Sequence, residues 1–132
     1  MTVSNIKTLL PGDIQKVWGL VTAVADYPRW RSDLGKTEIL NEKQFRDYTK
    51  KGYATTFTVT ACEPHRRWEF TMDNGNMQGR WVGVFTPRGK QTEIDFTEEV
   101  AAKKLFLKPF VKAYLQRQQA QFVADLEKAL LP

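Results

Sequence analysis

The sequence predicts an α+β fold: a curved antiparallel sheet of about six to seven strands wrapped around one long C-terminal helix, with two short helices after the first strand. Three observations predict it. Turn signals recur about every ten residues through the middle of the chain, apolar and polar residues alternate between those turns, and the last segment carries a glycine-free helical stripe.

Residues 3–9 (VSNIKTL) have the length and β-branching of a first strand, which breaks at Pro11-Gly12. From Asp13 the period changes. Ile14, Val17, Trp18, Val21, Val24 and Ala25 fall at helical spacing. Pro11 suits a first helical turn, Asp13 complements the positive end of the helix dipole, and Pro28 is expected to stop the helix. The turns that follow are Asn41-Glu42-Lys43, Lys51-Gly52, Glu63-Pro64-His65, Asp73 to Asn76, and Pro87 to Lys90. Asn74-Gly75 is the strongest hairpin dipeptide among them. Between turns, Tyr53, Phe57, Val59 and Ala61 share one face, opposite Thr56, Thr58, Thr60 and Cys62. Trp68, Phe70 and Met72 form another apolar face, as do Ile94 and Phe96. Each strand then has one dry face that something must cover. The cover is the segment from about Leu105 to Leu131. There Phe110, Val111, Tyr114, Leu115, Gln118, Phe122, Leu126 and Ala129 make one stripe, with Lys112, Arg117 and Asp125 off it. A helix of about 25 residues would span about 38 Å, enough to cross a sheet.

The 132 residues suit one domain spanning 1–132, and 42% hydrophobic with 27% charged residues is ordinary globular composition. No apolar run approaches the roughly 20 residues of a membrane span, and the N-terminus lacks the pattern of a secretory leader, so the expected location is cytoplasmic. Cys62 is the lone cysteine and fits a reducing compartment. The net charge of +5 is scattered, without a nucleic-acid motif, so no nucleic-acid partner is expected. The basic excess leaves peripheral contact with an anionic membrane surface open, and the oligomeric state is open as well. One histidine and one cysteine cannot supply the usual zinc ligands, and there is no nucleophile elbow, P-loop or dinucleotide fingerprint. No metal and no cofactor are therefore expected.

Four motifs in order carry a resemblance. They are Pro11 to Trp18 (PGDIQKVW), Asp26-Tyr27-Pro28-Arg29-Trp30, Glu63 to Trp68 (EPHRRW), and Gly79-Arg80-Trp81 through Thr86-Pro87 with Gln91 to Ile94. Over nearly the whole chain, this pattern resembles the START and polyketide cyclase-like (SRPBCC) superfamily, the helix-grip fold shared with plant pollen allergens. The resemblance implies a cavity between sheet and long helix that takes lipids, hormones, polyketides or other apolar molecules. It does not imply a reaction, because members include carriers, receptors, co-chaperone-like domains and cyclases.

Trp30, Phe57, Trp68, Phe70, Met72, Trp81, Phe96, Phe110 and Tyr114 lie on faces expected to point inward, either as core or as pocket lining. Gly79 and Gly83 share the Trp81 face and would leave room for a ligand. Gln118, one turn after Tyr114, would orient it. Alternation carried past Phe96 would also turn Glu98 inward, where a desolvated carboxyl could act as acid or base together with Tyr114. The expectation adopted is that the strand has ended and Glu98 is wet. His65 sits at a hairpin tip, away from the cavity, and Cys62 belongs to the outer face, so a Cys–His pair is not expected. Lys104, Lys108 and Lys112, four apart, would share one helix edge, as a solvated face or as a basic rim at the cavity mouth. The first functional expectation is a carrier or sensor of an apolar small molecule or lipid. The alternatives are a cyclase- or dehydratase-like enzyme using the same cavity, and a protein-interaction domain.

Overall fold

All five expected turns reverse the chain between antiparallel strands in the computed structural model, which describes residues 1–132. The strands are β1 (Thr2–Leu10), β2 (Leu34–Ile39), β3 (Gln44–Thr49), β4 (Ala54–Glu63), β5 (Arg67–Asp73), β6 (Met77–Arg88) and β7 (Gln91–Ala102). They form one seven-stranded sheet in the order β1-β7-β6-β5-β4-β3-β2. The meander from β2 to β7 needs only short hairpins, and β1 adds to the free edge of β7.

Directly paired residues share a face, so the registers read out the concave surface row by row. One row runs Ile39, Phe45, Phe57, Met72, Gly79, Val100 and Thr2. The next runs Val59, Phe70, Trp81, Glu98 and Ser4, and a third Cys62, Trp68, Gly83, Phe96 and Ile6. Two expectations change here. A register shift between Val59 and Ala61 moves the alternation by one residue. Ala61 therefore pairs with Glu69 and leaves the concave face, while Cys62 pairs with Trp68 and joins it, at an exposed end of the strand. Strand β7 also runs on to Ala102, so Glu98 keeps its phase and faces inward instead of standing wet.

Helix α1 spans Ile14–Thr22, shorter than expected. Asp13 is its N-cap and accepts from Lys16 N at 2.9 Å, while Pro11 lies in the bend before it. The far end is closed by a side chain: the Tyr27 hydroxyl donates to the Val21 carbonyl, one of the orphan acceptors of the last turn. A 3-10 turn, Val24–Asp26, leads into the one-turn helix α2 (Tyr27–Trp30). Pro28 lies in the first turn of α2, where no N–H is needed, so it opens a helix rather than ending one.

The C-terminal cover also divides. Leu105–Phe110 is a 3-10 helix, and the α-helix proper, α3, runs Val111–Leu130. Pro109 supplies the reason, since its ring clashes with the carbonyl four residues back and cannot sit inside an α-helix. The buried face of α3 is Val111, Leu115, Gln119, Val123, Leu126 and Leu130, rotated slightly from the expected stripe. Asp125, expected off the stripe, is buried and accepts from Ser32 N at 2.8 Å and Ser32 Oγ at 2.9 Å, tying the loop after α2 to α3. No helix is long and apolar enough to cross a membrane.

Neither strand glycine leaves room for a ligand. A Cβ on Gly79 would strike the Glu99 carbonyl oxygen and sit 2.9 Å from Val100 Cα, both rigid backbone of β7. At Gly83 the space is filled by the Trp81 ring, with Phe96 Cδ1 at 3.2 Å. These glycines allow β6 and β7 to approach and Trp81 to lie flat along its own strand. Gly79→Ala is expected to destabilise the protein by about 1–3 kcal/mol, the usual cost of overpacking. In urea unfolding this should appear as a lower midpoint with an unchanged slope.

Candidate functional site

Helix α3 packs against β1, β7, α1 and α2. The central strands β4 to β6 therefore look toward it across a gap. The gap is a chamber of about 150 Å³, floored by Phe57, Trp68, Phe70, Met72, Trp81 and Phe96 and roofed by Tyr114, Leu115, Gln118, Gln119 and Phe122. Tyr53, Asn74, Met77 and Tyr114 also border a second, more open space of about 380 Å³, whose lining includes Leu107, Phe110 and Val111. The shared residues make the second space a vestibule to the first. An apolar void of about 150 Å³ holds one benzene-sized ring, so a larger ligand would extend into the vestibule.

The floor is an aromatic mosaic. Phe70 stacks on Trp81 with centroids 4.9 Å apart, Phe45 stacks on Phe57 at 4.8 Å, and Trp68 meets Phe70 edge to face at 5.2 Å. Such contacts hold the rings in place.

One wall is charged. Arg31 Nη2 donates to Asp33 Oδ2 at 2.8 Å and its Nε to Asp33 Oδ1 at 3.2 Å, while Nη1 reaches Asp47 Oδ2 at 3.5 Å. The guanidinium lies 5.0 Å from the Tyr27 ring centre and 5.1 Å from that of Phe122. The other oxygen of Asp47 accepts from Thr37 Oγ1 at 2.9 Å. Burial lifts the Asp47 carboxyl to about 6, partly offset by Arg31 and Thr37. Glu98 stands apart. It lines the chamber, has no hydrogen-bond or ion-pair partner within the protein, and is lifted by burial to about 7. On the roof, Gln118 Nε2 donates to the Tyr114 hydroxyl at 3.1 Å. That bond leaves the Tyr114 O–H and the Gln118 carbonyl oxygen free.

The chamber thus brings together Phe57, Trp68, Phe70, Met72, Trp81, Phe96, Glu98, Tyr114 and Gln118. Trp30 is not among its walls. It packs behind them against Phe122 and Tyr27, with its buried Nε1 lacking an acceptor. Phe110 does not point inward either: it is 66% exposed and lines only the vestibule, because the 3-10 turn swings it off the α3 face. His65, held at positive φ in its hairpin, lies against Trp18 with ring centres 6.0 Å apart, outside the chamber. Arg31, Asp33, Asp47 and Gln119 were missed by the sequence reading. Asp47 was legible, since it alternates in phase with Phe45 along β3, whereas Arg31 and Asp33 sit in a loop whose direction no periodicity reveals.

The expected lysine row is broken. Lys104 precedes the 3-10 helix and its Nζ donates to Asn76 Oδ1 at 3.1 Å, Lys108 lies within that helix, and Lys112, on α3, donates to the Val3 carbonyl. A 3-10 helix turns every three residues, so a spacing of four does not keep one edge across the junction. Between Lys104 and Lys112 the chain carries three exposed apolar residues, Leu105, Phe106 and Phe110, at 78%, 70% and 66% exposed, and Phe110 borders the vestibule.

Solved structures share this architecture at low sequence identity. A START superfamily protein from Mycobacterium smegmatis is 14% identical with a TM-score of 0.89, covering 97% of this chain and 96% of that one. A conserved protein from Geobacillus kaustophilus is 14% identical with a TM-score of 0.85, covering 98% and 95%. The Zhui aromatase/cyclase from a Streptomyces species is 15% identical with a TM-score of 0.79, covering 98% and 93%. These likenesses speak for the helix-grip fold alone. No curated protein matches the sequence. The family profile described as polyketide cyclase / dehydrase and lipid transport matches residues 5–130, and the chain belongs to that family.

Proposed function

We propose that this protein binds an apolar small molecule or lipid in the chamber between sheet and α3, as a carrier or sensor. The observation that carries this reading is an aromatic chamber which opens through a vestibule and keeps unspent polar groups at Glu98, Tyr114 and Gln118. Apolar walls with a few placed polar groups are the usual make-up of a ligand site, the walls supplying affinity and the polar groups orientation. Trp68 and Trp81 floor the chamber, so ligand should change the intrinsic fluorescence. Nile red, a neutral apolar dye, is expected to bind with a blue-shifted emission. Gln118→Trp, which drives an indole into the chamber, should weaken the dye at least about tenfold. Equal binding by a folded Gln118→Trp variant would sink the reading.

A second reading, proton transfer on a bound substrate, is favoured by one observation: Glu98 is poised at about 7 in a chamber it shares with the Tyr114 hydroxyl. Such an enzyme would lose turnover in Glu98→Gln or Tyr114→Phe while still binding its substrate. The Glu98 carboxyl has a stability signature too. Its value is raised from 4.5, so the folded state holds the extra proton between about 4.5 and about 7. Stability therefore falls as pH rises through that window, and the whole cost is present above it. Glu98→Gln should remove this cost, gaining about 2–3 kcal/mol at about pH 8 and little below pH 4.5, as read by urea unfolding.

The ligand reaches the chamber through the apolar rim, and an anionic lipid surface is the partner that rim suits. Residues 101–124 carry Lys103, Lys104, Lys108, Lys112 and Arg117 with no acidic residue, and the exposed Leu105, Phe106 and Phe110 lie among them. Vesicles containing phosphatidylglycerol should co-sediment the protein, and phosphatidylcholine vesicles should not. Phe106→Asp should abolish the difference.

A further inference from the structure

The chamber's charges are unequal, and the inequality has a consequence for the ligand's head group. Four ionisable groups other than tyrosines line the chamber: Arg31, Asp33, Asp47 and Glu98. The single cation is spent, because Arg31 is held on Asp33 through two nitrogens and on Asp47 through a third, with aromatic rings over its plane. Both oxygens of Asp33 are taken by that pairing, and those of Asp47 by Arg31 and Thr37. Glu98 is on the opposite side of the ledger. It is fixed in the sheet by its pairings with Trp81 and Ser4 and lines the chamber together with the roof residues Tyr114 and Gln118. No hydrogen bond or ion pair within the protein holds its carboxylate; the Arg31 guanidinium acts on it only from a distance and offsets part of the effect of burial. The free oxygen of Gln118, on the roof of the same chamber, is a second acceptor without a donor. A ligand entering this space meets two unpaired acceptors, one of them a carboxyl able to carry negative charge, and a single neutral donor, the Tyr114 O–H.

We propose that the chamber selects ligands whose head is a protonated amine on an apolar body, seated on Glu98, and that it refuses the same body carrying a carboxylate. This rests on the reading of the chamber as a ligand site. A carboxylate head would face three carboxylates and a guanidinium already neutralised, with no lysine or histidine among the walls to receive it. An ammonium offers three donors to Glu98 and to the Gln118 oxygen, and a neutral alcohol offers one.

The test uses three probes of one shape, phenylbutylamine, phenylbutanol and phenylbutyrate, titrated against the intact protein by tryptophan fluorescence and calorimetry. The expected order is amine, then alcohol, then carboxylate, with the amine at least about tenfold tighter than the carboxylate, the size expected of one desolvated charge contact. Glu98→Gln should bring amine and alcohol together and relieve much of the exclusion of phenylbutyrate. The wild-type protein supplies a check that needs no variant. The preference for amine should grow as pH is raised through about 7, where Glu98 ionises, and Asp47, titrating at about 6, moves the same way. Arg31, Asp33, Tyr27, Tyr53 and Tyr114 are the other charged or titratable groups lining the chamber. Phenylbutyrate binding as tightly as phenylbutylamine, with phenylbutanol also bound, would overturn the proposed selectivity and leave the chamber standing as a ligand site. An amine preference that persists unchanged in Glu98→Gln would overturn the assignment to Glu98. Failure of all three probes and of Nile red would overturn the ligand site itself, and this proposal with it.

Discussion

A buried amide holds the roof to the sheet. Gln119, midway along α3, accepts from Ser4 Oγ at 2.6 Å through its Oε1. Its Nε2 donates to the Ser4 carbonyl at 3.1 Å and to the Phe96 carbonyl at 3.3 Å. Each of these bonds contributes about 1 kcal/mol net, but losing Gln119 would strand the buried Ser4 hydroxyl, at about 1–3 kcal/mol, and take a donor from the Ser4 carbonyl, while the Phe96 carbonyl keeps Asn5 Nδ2 at 3.2 Å. The clamp is directional where apolar packing is not. It pins α3 over the β1–β7 edge of the sheet, and the helix is too narrow to fill the space above β4 to β6 from there. The chamber is that unfilled space.

The two ends of α3 then do different work. Toward its C-terminus, Val123, Leu126 and Leu130 join the main core with Val17, Val21, Phe85 and Ile94, and the layers are in contact. Toward its N-terminus, only a small satellite of Val100, Val111 and Leu115 closes the core. Beyond it lie the vestibule, the Pro109 break and the exposed rim. Firm packing at one end and an open mouth at the other is what a site for a guest molecule needs, because core stability does not depend on the part that must admit the guest.

Charge is arranged on the same plan. The Arg31–Asp33–Asp47 group is held by hydrogen bonds and by the rings of Tyr27 and Phe122, and it stiffens the loop between α2 and β2 against the sheet. Ser32 of the same loop is held by Asp125 of α3. A satisfied network of this kind orders a wall and leaves little of its charge to act on a ligand. Glu98 carries the remaining electrostatic influence because it belongs to no network.

Composition, turn chemistry and alternation were enough to name the fold, since a strand's period and a hairpin's turn residues are local properties. They also placed Phe57, Trp68, Phe70, Met72, Trp81 and Phe96 on one surface. Local pattern failed where a distant contact decides. The bulge at Thr60 shifts the phase of β4 only because β5 pairs on both sides of it. The end of α1 is drawn by the Tyr27 hydroxyl, and the junction at Val111 changes which lysines and aromatics share a face. Glu98 is the sharpest instance. Alternation after Ile94 and Phe96 puts it in the inward phase, but local pattern does not say whether the strand reaches it; it faces inward because β1 and β6 extend the pairing of β7 past it and α3 roofs the result. The sequence by itself determined which residues could form an aromatic floor. Only the packed sheet and helix decided that a gap would remain above it and that a lone carboxylate would look into that gap, because a cavity is a relation between elements far apart in the chain.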